Sequence, residues 1–150
     1  MIPYAHSLVM WRAGVDRGQP AGLAAYLVAE AVADGVLALG QSAVIDAVDA
    51  VEAARRQWRA LADRHRVSVA FIEVVCSDWR VHRWRLEHRS WGIVGFEEPT
   101  WEAVQQRRIE YEPWTDRRLV LDSTADLASN VTKAQEYLAT GAPPSQPVRH

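Results

Sequence analysis

A chain of 150 residues, 49% apolar and 24% charged, suits one soluble domain that buries a core without disulfide or metal support. Its net charge of −2 gives no global basic field, which argues against nucleic acid or a membrane surface as a partner. The lone Cys76 excludes an internal disulfide, no apolar run nears the roughly 20 residues of a membrane span, and the start at Met1 lacks a charged-then-apolar leader, so the chain reads as cytoplasmic.

The predicted elements follow in chain order. Tyr4 to Ala13 reads as a short helix stopped by Gly14, and Asp16 to Pro20 as a turn. Gly22 to Leu39 has helical apolar spacing, with Leu23, Tyr26, Leu27, Ala31 and Val32 along one face and Gly40 as C-cap. Ser42 to Ala47 is a short apolar run ending beside an acid, the pattern of a buried strand. Asp49 is placed to cap a helix running to His65, with Val51, Ala54, Trp58 and Leu61 on its apolar side and Trp58 in the core. Val67 to Cys76 is the strongest strand signal.

Ser77 or Asp78 caps a helix to Arg89, and Ser90 to Pro99 is a loop. Thr100 caps a helix through Tyr111, ended with the help of Pro113. Arg118 to Asp122 is a third strand, Asp126 opens a last helix to Leu138, and residues 141–150 read as a disordered tail after a domain spanning 1–140. Strands alternating with helices imply a parallel sheet with right-handed crossovers. Ligands of such sheets lie beyond the carboxyl ends of the strands, where Asp46, Cys76, Ser77, Asp78 and Asp122 fall.

Asp46 is the sharpest chemical candidate. A carboxylate at a strand end can hold Mg²⁺ through water or accept a proton from a hydroxyl nucleophile; an Asp at a turn also caps helices. Arg80, Arg83, Arg85 and Arg89 form a basic run, and Arg85 and Arg89, four apart on one helical face, would meet one anion together. The alternative is a solvated helix face with Glu87 as partner.

Gly35 to Ser42 imitates a phosphate loop, but Gln41 stands where the lysine belongs and the run precedes a strand instead of following one. The only lysine, Lys133, follows Asn130, Val131 and Thr132 with no glycine loop before it. His65, His82, His88 and Cys76 lack metal-ligand spacing, and Cys76 is expected to be buried and inert. Trp79, Trp84, Trp91, Trp101 and Trp114 crowd the segment 79–114, where they serve packing, a nucleobase or a partner surface. Arginine interleaved with tryptophan over 79–91 also suits single-stranded nucleic acid, the third choice.

Several runs, taken in order, resemble the kinase-like AAA-type P-loop NTPase family, relatives of polynucleotide and small-molecule kinases. Val44 to Asp49 is similar to its third strand and acidic end. Val74 to Asp78, followed by His82 to Arg89, resembles its fourth strand and arginine-bearing lid helix. Pro99 to Trp101, Tyr111 to Trp114 and Leu119 to Asp122 resemble its closing segments. The resemblance implies an α/β, three-layer, parallel-sheet sandwich of P-loop NTPase type, N-terminally truncated to about three strands.

It further implies an ATP-dependent phosphotransferase with ATP and Mg as cofactors. Asp46 would be the catalytic and metal residue, and Arg83, Arg85 and Arg89 would lie over the phosphates. The family's first strand and its G-x-x-x-x-G-K-[ST] loop have no counterpart here. Because phosphoryl transfer depends on positioning and electrostatics, the expectation is very weak or absent activity toward any small-molecule or nucleotide ligand. The missing strand would leave a gap in the sheet, closed by rebuilding or by a homo-oligomer. The alternative is a non-catalytic binding or assembly module kept from that fold.

Overall fold

The structure is a computed structural model that describes residues 21–89 and 99–140. The expected helix from Tyr4, the turn to Pro20, most of the Ser90 loop with Trp91, and the tail from Gly141 lie outside the described residues. The chain divides into two compact units, Met1–Val67 and Ser68–His150.

The first unit is a helix pair. Helix α1 (Ala21–Ala38) and helix α2 (Glu52–His65) bury Ala33, Trp58, Leu61 and Ala62. The face of α1 turned to α2 differs from the expected one: Leu27 and Val32 are exposed, while Ala33 is buried and the Tyr26 ring lies 5.8 Å from that of Trp58. Polar pairing explains the rotation. Gln57 donates to the Tyr26 carbonyl and to Glu30 at 3.1 and 2.6 Å, and Arg64 and His65 reach Glu30 and Asp34 at 2.8–3.2 Å. The bonds from His65 and Arg64 hold the Asp34 carboxyl below its ordinary value.

Both helices end in the same way. The Gly40 N–H donates to the Leu37 carbonyl at 2.9 Å and the Gln41 N–H to Val36 at 3.3 Å, with Gly40 left-handed at φ 71°. The Arg66 and Val67 N–H groups donate to Asp63 and Ala62 at 3.2 and 3.0 Å, with Arg66 left-handed at φ 56°. These are paired Schellman closures, one on the residue type that takes this conformation freely and one on a residue with a Cβ. Arg66→Gly should therefore stabilise the protein by about 0.5–1 kcal/mol, and Gly40→Ala should cost about 1 kcal/mol, both read from urea unfolding midpoints.

The expected strand from Ser42 to Ala47 does not form. Exposure alternates through it, with Ala43, Ile45 and Ala47 half-buried and Ser42, Val44 and Asp46 exposed, but no strand among the described residues pairs with it. A period of two marks extended chain; a strand also needs a backbone partner. Nor does Asp49 cap α2. The N-cap is Val51, with no side-chain bond, and Asp49 sits two residues upstream at φ 46°.

The second unit opens on strand β1 (Phe71–Val75), shorter than the predicted Val67 to Cys76. Helices α3 (Trp79–His88) and α4 (Trp101–Ile109) follow, then strand β2 (Arg118–Asp122) and helix α5 (Leu127–Ala139). Side-chain caps set each helix start: Asp78 accepts from the Arg80 and Val81 N–H groups, Thr100 from Ala103, and Asp126 from Ser129. The strands pair in parallel, Phe71 with Arg118 through Val75 with Asp122.

One side of this ribbon is covered by the chain before β2. The Trp114 ring lies edge-on to Phe71 at 5.3 Å and under the Arg118 guanidinium, also at 5.3 Å, while Arg118 and Tyr111 donate to Glu73 at 2.5 and 3.3 Å. Leu86 and Leu121 are the buried apolar residues among those described in this unit.

The expected three-layer, three-stranded parallel sandwich is therefore not the fold. The described residues form five helices and a two-stranded parallel sheet. With the 42–47 run unpaired, the described residues hold no third strand to build a sheet for helices to cover on both faces. Among the described residues no helix is long and apolar enough to cross a membrane.

Candidate functional site

The chain leaves β1 through Cys76, Ser77 and Asp78 directly into α3, and leaves β2 through a turn at Ser123 and Thr124. Parallel pairing brings these two exits side by side. The Ser123 N–H continues the ladder to the Val75 carbonyl at 2.8 Å. Asp122 Oδ1 accepts from the Ser77 N–H at 3.3 Å and the Thr124 N–H at 3.0 Å, and the Ser77 and Thr124 hydroxyls lie 3.5 Å apart. Asn130 from α5 donates to the Asp122 carbonyl at 2.7 Å. The bonds from Ser77 and Thr124 hold the Asp122 carboxyl far below the usual carboxylate range.

Arg85 closes the arrangement from α3. Its Nη1 donates to Ser123 Oγ and its Nη2 to the Ser123 carbonyl, both at 3.1 Å. One guanidinium fork thus ties the crossover helix to the turn after β2. Sequence reasoning placed Arg85 over a phosphate; here its fork is engaged with Ser123. Arg83 pairs with Glu87 at 2.7 Å along the helix, the solvated alternative anticipated for this run. Arg89 is the C-cap of α3, in extended backbone at φ −87°. Cys76 is half-buried, not buried, with its Sγ donating to the Asp78 carbonyl at 3.3 Å.

Asp46 belongs to the first unit, where it is exposed on the irregular stretch 41–50. No group of three His, Cys, Asp or Glu side chains capable of holding a metal ion occurs among the described residues. At the strand ends, the Ser77 and Thr124 amides are already engaged by the Asp122 carboxylate. A shallow groove of about 440 Å³ in the first unit is lined by Leu27, Glu30, Ala31, Asp34 and Arg64, but its acids are already paired with Arg64 and His65.

Two residues, one in each unit, escaped the sequence reading. Ser123 carried no signal, since its role depends on where Arg85 lands. Arg55 did carry one. It sits three residues before Trp58, within the apolar side of α2, and it is 0% exposed.

The depressed Asp122 pKa has a definite sign. Its stabilising contribution is fully present above the ordinary carboxylate range and is lost progressively as pH falls below about 4. Melting curves of the wild type and Asp122→Asn should differ most near neutral pH and converge in acid. A gap that widened on acidification would contradict the assignment.

No family model, no curated protein and no solved structure matches this chain.

Proposed function

We propose that the chain is a non-catalytic binding and assembly module, kept from a kinase-like ATP-dependent phosphotransferase lineage and without a triphosphate grip of its own. One observation carries this reading: the Asp122 carboxylate occupies the Ser77 and Thr124 amides at the carboxyl ends of β1 and β2, where a ligand's anion would bind. A second anion there would meet a fixed negative charge instead of free donors.

Assembly has its own support. Among the described residues each strand of the two-stranded sheet pairs on one side alone, and open edges favour association. On α5, Leu127, Val131 and Leu138 are exposed at spacings of four and seven residues, close to one face. The homo-oligomer expected from the sequence thus has two candidate surfaces.

The test is a calorimetric titration with MgATP beside a mass measurement in solution. The expected result is no binding tighter than about 1 mM, a free energy of about −4 kcal/mol, together with a dimer or larger species that Val131→Glu dissociates. Micromolar MgATP binding lost in Arg85→Ala would overturn the reading in favour of an active phosphotransferase. That second reading draws on Arg85, which does sit at the carboxyl ends of a parallel pair.

A further inference from the structure

Parallel pairing leaves each strand one outward side, and the two sides differ. The Val75 carbonyl accepts from the Ser123 N–H at 2.8 Å, so the backbone groups of Phe71, Glu73 and Val75 face β2. By the alternation of a strand, the N–H and C=O groups of Ile72 and Val74 point away from it, and no partner among the described residues meets them. On β2 the outward backbone groups belong to Arg118, Val120 and Asp122. There α5 packs on the strand, and the Asn130 side chain donates to the Asp122 carbonyl at 2.7 Å. The outer edge of β2 is thus closed at its end, while that of β1 is open among the described residues.

The β1 edge carries no proline, lysine or bulge to deter pairing. Its one charge, Glu73, is held by Arg118 and Tyr111 at 2.5 and 3.3 Å. Val74 is the one exposed residue of the strand, at 65%. A second copy of the chain satisfies this edge, and charge fixes the register. In an antiparallel pair about a two-fold axis the same edge serves both chains. An axis at Glu73 would set two carboxylates directly opposite, a destabilising pair. An axis at Val74 sets Val74 against Val74, with both N–H···O bonds exchanged, and Glu73 against Val75. No like charges then meet, and the exposed valine is covered by its own copy.

We propose that β1 pairs antiparallel with β1 of a second copy, Val74 opposite Val74, so that the two-stranded sheet becomes four-stranded in the order β2–β1–β1–β2. Main-chain bonds supply the affinity, as in other strand additions. With α5 along β2, pairing stops at two copies instead of running on as a fibre. The strand is five residues long. Such a contact is small beside the roughly 1,600 Å² of stable complexes, so Kd should be about 1–100 μM. The edge dimer rests on the assembly reading above and gives it a surface, a partner and a register.

The experiment is sedimentation velocity of the full chain, as wild type and as Val131→Glu, which removes the α5 contact and leaves the edge. Val131→Glu should show a reversible monomer–dimer equilibrium. Adding Val74→Pro should weaken it by about tenfold to a hundredfold, two hydrogen bonds lost at the axis. The Val74 N–H points away from β2, so proline leaves the β1–β2 ladder intact. Val74→Lys, which opposes two ammonium groups, should act likewise with the backbone unchanged. Circular dichroism should show both variants folded. Register is read by cross-linking. Val74→Cys with Cys76→Ser should form an intermolecular disulfide under mild oxidation, the opposed Cα atoms lying about 5.5 Å apart. Ile72→Cys with Cys76→Ser should not, since its two copies lie about 14 Å apart along the strands.

Three results would overturn the proposal. One is a Val131→Glu chain that stays monomeric up to about 1 mM. If the wild type then still dimerises, assembly through α5 stands without the edge; if it too is monomeric, the assembly reading falls as well. Another is a dimer unchanged by Val74→Pro and by Val74→Lys in folded protein. The last is cross-linking of the Ile72→Cys chain as readily as the Val74→Cys chain, the mark of another register or of unspecific association.

Discussion

Arg55→Met should destabilise the first unit by about 3 kcal/mol in urea unfolding, close to the cost of breaking other buried charged networks. The residue is fully buried, and its fork holds the chain before α2: Nε donates to the Asp49 carbonyl at 2.9 Å and Nη2 to the Ala50 carbonyl at 3.2 Å. Replacement by Met keeps most of the volume but leaves two part-buried carbonyls without this donor. It also removes the positive charge near the Asp49 carboxylate, whose pKa burial already raises. Arg55→Lys should recover only part of the loss, since an ammonium does not reproduce the planar fork. A change below about 1 kcal/mol in Arg55→Met would mean that water replaces the guanidinium without difficulty.

Trp58→Ala should cost about 3–5 kcal/mol, the range for deleting a large core aromatic. Trp58 is 5% exposed, packs against Tyr26, and donates its indole N–H to Asp49 Oδ1 at 2.8 Å. Trp58→Phe separates the two contributions: it keeps most of the apolar area and loses the indole donor, for about 1–2 kcal/mol. Since whole domains hold about 5–15 kcal/mol, the alanine variant should leave the helix pair partly unfolded at 25 °C. Changes at Asp49 and Trp58 should not add, because they share this bond; a double-mutant cycle should show coupling of about 0.5–3 kcal/mol. Strict additivity would remove Asp49 as the link between α1, α2 and the chain between them.

Much of the helical structure was legible in the sequence because its signals are local. Asp78, Thr100 and Asp126 each precede a helix that begins at the next residue, and Gly40 closes α1 as its position after the apolar pattern suggests. Strand β2 has the predicted bounds. What failed depends on distant partners. The run from Ser42 to Ala47 has the alternation of a strand, but nothing in its residues says whether another strand lies beside it. The face of α1 was misjudged because Glu30 and Asp34 are drawn toward Gln57, Arg64 and His65, more than twenty-five residues away.

The candidate site divides along the same line. That Ser77, Asp78 and Asp122 lie at strand ends followed from the order of elements. That Asp122 would satisfy the amides of Ser77 and Thr124, and that Arg85 would settle on Ser123, followed from the parallel register. Asp46, the sharpest sequence candidate, drew its significance from a strand that is not there.

The parallel register of β1 and β2 also bears on how the chain reaches this structure. Phe71 meets Arg118 only after α3, α4 and the intervening chain have been gathered into one crossover, and closing so long a loop costs entropy before the ladder returns any enthalpy. The α1–α2 pair, joined by a short connection, has no such delay. Refolding from urea should therefore show an early phase from the helix pair, reported by Trp58, and a slower one from the strand ladder, reported by Trp114.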